Sequence, residues 1–209
     1  MPVTAKICGV STHQSVDAAV SSGASHIGFV FFPPSPRNVG FEQAAGLTAR
    51  VPAHVGKVGV FVNPDDAFLA AALATGLTAV QLHKVTPERA AAIRARVPVW
   101  AAVAVKTRAD VDQAARFRGS ADLILYDAKT PEGASLPGGM GLRFDWKLLQ
   151  NVPQHLPWAL SGGLDPENVA EAIRMTGAQL VDVSSGVETA PGAKDVDKIA
   201  AFCKAVSQC

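Results

Sequence analysis

Proton transfer on an anionic substrate is the chemistry that the reactive side chains of this sequence could support. Cys8 closes a short apolar run, Val3 to Ile7, broken only by Thr4 and Lys6, and Gly9 follows directly. A thiol at the mouth of a first strand is a candidate base or nucleophile; the alternative is a small buried hydrophobe, because free cysteine is among the most buried residue types. Asp127 closes the run Leu123-Ile124-Leu125-Tyr126 at the corresponding rim. It is a candidate acid facing the same cavity, or else a helix cap or a partner of Lys129 or Lys106. Arg37 sits on a segment, Phe32 to Gly40, stiffened by Pro33, Pro34 and Pro36. Its planar guanidinium suits a substrate carboxylate, and a solvated surface charge is the alternative. Two glycine turns, Ser161-Gly162-Gly163 and Ser184-Ser185-Gly186, would let backbone N–H groups approach a phosphate.

These side chains need a frame that brings them to one rim. Short β-branched runs alternate with alanine-rich stretches of helical period. The candidate strands are Thr4–Cys8, His26–Phe31, Lys57–Val62, Ala79–Leu82, Val99–Val105, Leu123–Tyr126, Trp158–Leu160 and Leu180–Val183. Helix starts are marked by a capping residue before proline at Asn63-Pro64, Thr86-Pro87 and Asp165-Pro166. A last helix from about Asp195 places Val196, Ile199, Ala200, Cys203 and Val206 on one stripe, which makes Cys203 a core residue. Eight such units predict an α/β fold, a single (βα)8 barrel domain over residues 1–209, in preference to a doubly wound sheet. The glycine turns then follow strands seven and eight, where barrels frequently bind phosphate. Two loops after strands are long: Phe32 to Gly40, and Ala128 to Arg143, whose Gly133, Gly138, Gly139 and Gly141 suit a mobile lid or a disordered insertion.

Closure of the barrel has a further consequence. Lys6 lies two residues before Cys8 and so points to the same side, into the barrel. Strand eight would lie beside strand one, so Asp182 is expected to pair with Lys6; the alternative is that Lys6 snorkels to the rim.

Bulk properties remove several function classes. A net charge of +1 carries no footprint for nucleic acid, and no apolar run approaches the length of a membrane span. The N-terminus runs straight into a strand without a leader, and three cysteines, Cys8, Cys203 and Cys209, show no paired spacing. A cytoplasmic protein is expected. None of the five histidines stands beside a cysteine or pairs at ligand spacing, so no metal site is expected.

Lys6-Ile7-Cys8-Gly9, Ser35-Pro36-Arg37, Gln81-Leu82-His83, Gly138-Gly139-Met140-Gly141 before Phe144-Asp145-Trp146, Ser161-Gly162-Gly163-Leu164 and the run Val181 to Glu188 together resemble the phosphoribosylanthranilate isomerases of tryptophan biosynthesis. The resemblance spans Lys6 to about Asp195. It implies an Amadori rearrangement of N-(5-phosphoribosyl)anthranilate to 1-(2-carboxyphenylamino)-1-deoxyribulose 5-phosphate, with no cofactor and no metal. By the same match Asp127 is the general acid, Cys8 the base, Arg37 the holder of the anthranilate carboxylate, and Gly162, Gly163, Ser185 and Gly186 the phosphate cradle. His83 matches a pocket position with no chemical role assigned, a core or rim histidine being equally acceptable, and Trp146 reads as a helix anchor. An aspartate that donates a proton at neutral pH should be raised by burial or repeatedly reprotonated, and Lys6 should help to form the Cys8 thiolate. Lys84, where glycine is usual, and Met140 and Leu142, in place of more polar lid residues, depart from the pattern. The expected partner is a small-molecule substrate, with no nucleic acid or membrane, in a monomer or homodimer. Two alternatives stay open: a histidine-pathway aminoaldose isomerase, which usually works with two aspartates where this chain has Cys8, and a non-catalytic sugar-phosphate-binding barrel.

Overall fold

Eight parallel strands hydrogen-bond in sequence order and close on themselves in the computed structural model, which describes residues 2–131, 133 and 138–209. They are β1 (Thr4–Cys8), β2 (His26–Phe31), β3 (Gly56–Val62), β4 (Ala79–His83), β5 (Val99–Val105), β6 (Leu123–Ala128), β7 (Trp158–Leu160) and β8 (Leu180–Val183). Closure is made by β1 against β8, with Lys6 opposite Asp182. β4 and β6 run further than the sequence suggests, so His83 and Asp127 are strand residues whose backbone is held by the ladder.

The surrounding helices are α1 (His13–Ser21), α2 (Phe41–Arg50), α3 (Asp66–Leu73), α4 (Pro87–Arg94), α5 (Arg108–Asp112), α6 (Val169–Thr176) and α7 (Val196–Ser207). Thr86 caps α4 through a bond from Arg89 N, with Pro87 in the first turn as expected. The other two proline starts are displaced. Asn63 adopts a left-handed φ of 42° and belongs to the turn, while Asp65 caps α3. Asp165 accepts from Glu167 N and Asn168 N in a turn of its own, so α6 begins only at Val169. In each case an aspartate forms the cap or turn, and proline adjacent to it fits either position.

Among the described residues no α-helix joins β6 to β7; a single 3-10 turn, Trp146–Leu149, takes its place. Gly139 and Gly141 have positive φ, and Pro153 and Pro157 follow, leaving too few residues to propagate a helix. Trp146 is buried and anchors this turn, with the Arg143 guanidinium 5.3 Å from its ring. Glu132 and residues 134–137 of the expected lid lie outside the described residues. After β8 the chain makes a hairpin of β9 (Glu188–Ala190) and β10 (Ala193–Lys194) before α7. α7 buries Ile199, Phe202, Cys203 and Val206; Phe202 replaces the exposed Ala200 of the expected stripe, and Cys203 is core.

The barrel interior is layered. Val58, Ala79, Trp100, Leu125, Ala159 and Leu180 form one apolar cluster, and Cys8, Val30 and Val60 a second. Buried polar groups, Lys6, Gln81, Ser161 and Asp182, form the network that supports the site.

Candidate active site

Lys6 organises the interior because an ammonium in a barrel must find acceptors. Its Nζ donates to Asp182 Oδ1 at 2.7 Å, the predicted pair, and to Gln81 Oε1 at 3.0 Å. Burial opposes its charge, but Asp182 and Cys8 outweigh burial and raise its pKa. Asp182 Oδ2 in turn accepts from Ser161 Oγ at 3.2 Å. With Gln81 Oε1 committed to Lys6, the amide nitrogen faces His83 Nε2 at 2.9 Å. His83 Nε2 must therefore accept, which places the ring proton of neutral His83 on Nδ1. Burial, followed by the Lys6 charge, pulls the His83 pKa down to about 4, so the ring is neutral at physiological pH.

Cys8 and Asp127 line one cavity with Arg37, His83, Ser161 and Asp182. The cavity continues into a second hollow lined by Gly141, Gly162, Gly163 and Ser185, with Asp127 and Ser184 bordering both. Gly186 lies on the outer approach beside Gly163 and Ser185. Gly162 and Gly163 have φ of 90° and 64°, a conformation only glycine adopts without strain. Three of the four residues expected to hold phosphate thus line a hollow continuous with the cavity of Cys8 and Asp127, and Gly186 lies just outside it.

Asp127 Oδ1 accepts from the backbone N–H of Ala128 at 2.9 Å. The other oxygen lies under the loop: a Cβ at Gly138 would stand 2.5 Å from Oδ2. Burial, reinforced by the negative charge of Asp182, pushes the Asp127 carboxyl up to about 7. Lys129, one of the partners considered for it, pairs instead with Asp110. Burial also pushes the Cys8 thiol up, and the charge of Lys6 only partly offsets it. Lys6 thus favours the thiolate as expected, but the net shift is upward, because removal from water costs the anion more than one cation returns.

Arg37 is not a solvated surface charge. It is buried, with Nε and Nη2 each 2.7 Å from the two carboxylate oxygens of Glu188, and Nη2 also donates to Gly139 O at 3.0 Å. Lys84 follows His83 with a φ of 54°, which explains why glycine suits that position. Met140 and Leu142 are exposed on the loop beside the cradle. Sequence reasoning gave no role to Gln81 or Glu188, although both stood in quoted motifs, and it missed Lys194 altogether. Only a turn-rich stretch surrounds Lys194 in the sequence, and nothing local marks it as buried.

Among the described residues no helix is long and apolar enough to cross a membrane, and no cluster of three or more His, Cys, Asp or Glu is placed to hold a metal.

A family profile described as N-(5'phosphoribosyl)anthranilate (PRA) isomerase matches residues 5–205. An N-(5'-phosphoribosyl)anthranilate isomerase of Zymomonas mobilis subsp. mobilis is 56% identical over 210 residues, covering 99% of each chain. One from Paramagnetospirillum magneticum is 52% identical, covering 98% of this chain and 97% of the relative. The crystal structure of phosphoribosyl anthranilate isomerase from Thermotoga maritima superimposes with a TM-score of 0.90 at 40% identity, over 99% of this chain and 100% of that one. A second solved structure, a phosphoribosyl anthranilate isomerase in complex with reduced 1-(o-carboxyphenylamino)-1-deoxyribulose 5-phosphate, gives 0.87 at 37% identity over the same shares. With a family profile covering nearly its whole length and relatives matched end to end, this chain belongs to the N-(5'-phosphoribosyl)anthranilate isomerase family.

Proposed function

We propose that Asp127 and Cys8 are the general acid and base with which this chain carries out the Amadori rearrangement of N-(5'-phosphoribosyl)anthranilate in tryptophan biosynthesis. Asp127 protonates the furanose ring oxygen while the anilino nitrogen lone pair forms C1=N and the C1–O bond breaks. Cys8 thiolate then removes the C2 proton, and the C2–H electrons form C1=C2 as the C=N pair returns to nitrogen, giving an enolamine. Loss of the C2 hydroxyl proton and protonation of C1 complete the aminoketose, so the reaction is redox-neutral and consumes no net proton.

The observation that carries this reading is the shared cavity: the carboxyl and the thiol face the same space, which opens onto the glycine cradle. Gly162, Gly163, Ser185 and Gly186 bind the phosphate, and Arg37 binds the anthranilate carboxylate. Neutral His83 and the Lys6–Asp182 pair hold the pocket wall. The two shifts suit the task, since a carboxyl near pH 7 is still partly protonated at neutral pH. A thiol raised by burial becomes a stronger base once ionised. The reaction needs no cofactor or metal. We place the chain in the cytoplasm as one (βα)8 domain, a monomer or homodimer; unpaired Cys8, Cys203 and Cys209 suit a reducing compartment.

The test is conversion of phosphoribosylanthranilate by the purified protein. Cys8→Ala and Asp127→Asn are each expected to lower kcat by about 10²–10⁴-fold. Full activity in either variant would remove the role given to that residue.

A further inference from the structure

Glu188 and Lys194, carried on the hairpin after β8, are buried charges that the acid–base reading leaves unused. Glu188 occupies Arg37 Nε and Nη2 through both of its oxygens. Gly139 O takes another Nη2 proton. Of the guanidinium's five N–H groups, only the two on Nη1 have no protein acceptor among the described residues. Arg37 lines the cavity, so Nη1 is the nitrogen left for a ligand. Lys194 Nζ closes the other side of Glu188. It donates to Glu188 Oε1 at 2.7 Å, to Ser184 O at 2.8 Å and to Ser184 Oγ at 3.4 Å. Three acceptors around one nitrogen call for the three donors of the ammonium form. Both side chains are almost wholly buried.

The local charge count follows. Arg37 and Lys194 supply two positive charges and Glu188 one negative, leaving one net positive charge in a low-dielectric wall. Burial works against ionisation of Glu188, but hydrogen bonds and charge from Arg37 and Lys194 outweigh it and hold its carboxyl below the usual range.

We propose that Glu188 and Lys194 are positioning residues that set the specificity of the Arg37 subsite for a single carboxylate: Glu188 locks the guanidinium so that only Nη1 is presented, and Lys194 supplies the charge that Glu188 would otherwise cancel. Without Lys194 the Arg37–Glu188 pair is neutral, and a carboxylate entering the wall would lose water without meeting net positive charge. Without Glu188 the guanidinium would lose the partner that fixes its plane. The proposal rests on the reading that Arg37 receives the substrate carboxylate.

The experiment compares inhibition by reduced 1-(o-carboxyphenylamino)-1-deoxyribulose 5-phosphate with inhibition by the same compound bearing a carboxamide. Lys194→Gln, with Lys194→Met as a second neutral variant, is expected to reduce the preference for the carboxylate compound by about tenfold, the size expected for one partly desolvated charge. Carboxamide inhibition should change less than about twofold. Lys194→Arg keeps the charge and should keep the preference. An unchanged preference in the neutral variants overturns the proposal, as does parallel weakening of both compounds, which would mark a purely structural lysine. Arg37→Met separates the two readings. If it retains the preference, the carboxylate is not at Arg37; if it abolishes the preference while the neutral Lys194 variants keep it, only the charge-supplying role of Lys194 falls.

Discussion

At the scale of single residues, burial decides the protonation of Asp127 and Cys8 more than their neighbours do. Asp127 is raised to about 7 and Cys8 above its ordinary value of 9.0, so the carboxyl loses its proton before the thiol does. The form that the proposed mechanism requires, protonated Asp127 with ionised Cys8, is then a minority of the free enzyme at every pH. Such a reverse arrangement still gives a bell-shaped profile, reported by the pair as a whole. The expected kcat/KM rises with pH up to about 7, stays level, and falls only above 9.0. Asp127 titration sets the lower bend and Cys8 titration the upper. A pH profile of purified enzyme checks this, and a lower bend near pH 4 would show that Asp127 is not raised. The sequence revealed Cys8 and Asp127 as candidates because each ends an apolar run. Their pKa directions were not legible there, since the competition between burial and the charges of Lys6 and Asp182 depends on three-dimensional packing.

At the scale of elements, strand register brings the chemistry together and glycine makes space for it. Cys8 of β1 stands opposite Gly28 of β2. A Cβ at Gly28 would lie 2.8 Å from Cys8 Sγ and 3.1 Å from Lys6 Nζ. Gly28→Ala is therefore expected to lower kcat by about tenfold or more through displacement of the thiol, with KM little changed, because small misplacements of a reacting group are costly. Steady-state kinetics check this, and wild-type kcat would show that the thiol has room to spare. Local sequence signals located the strands well but the helix starts less well. Thr86-Pro87 sits at a cap, whereas Asn63-Pro64 and Asp165-Pro166 resemble it in sequence and form turns instead. The 3-10 connection at Trp146–Leu149 shows the same limit, because its length is set by what β6 and β7 leave between them.

At the scale of the whole molecule, the interior network and the site draw on the same stability. Asp182→Ala would leave Lys6 buried without its carboxylate and should cost about 3–5 kcal/mol in denaturant unfolding. The double replacement Lys6→Met with Asp182→Leu should recover most of that loss, since it removes both charges. A single-variant loss below about 1 kcal/mol would mean that water or another group reaches Lys6. Asp127 acts in the opposite sense. Its folded pKa of about 7 lies above the ordinary 3.8, so its stabilising contribution is complete below pH 4 and is lost as pH rises through 7. Asp127→Asn should therefore raise Tm relative to wild type more at pH 8 than at pH 5, where wild-type Asp127 is still protonated. Equal shifts at both pH values would exclude this linkage.

By itself the sequence determined the alternation of strand and helix, the end of the strand that carries Cys8, and the glycine turns after strands seven and eight. Those features are local: periodicity and turn chemistry are written in neighbouring residues. Even the Lys6–Asp182 pair was readable, because barrel closure places strand eight beside strand one. The tertiary structure alone decided that Arg37 is docked on Glu188, that Lys194 backs that pair, and that burial outweighs Lys6 at the thiol. Each of these depends on charges that are distant in sequence being removed together from water, and the energy of that removal is set by three-dimensional surroundings.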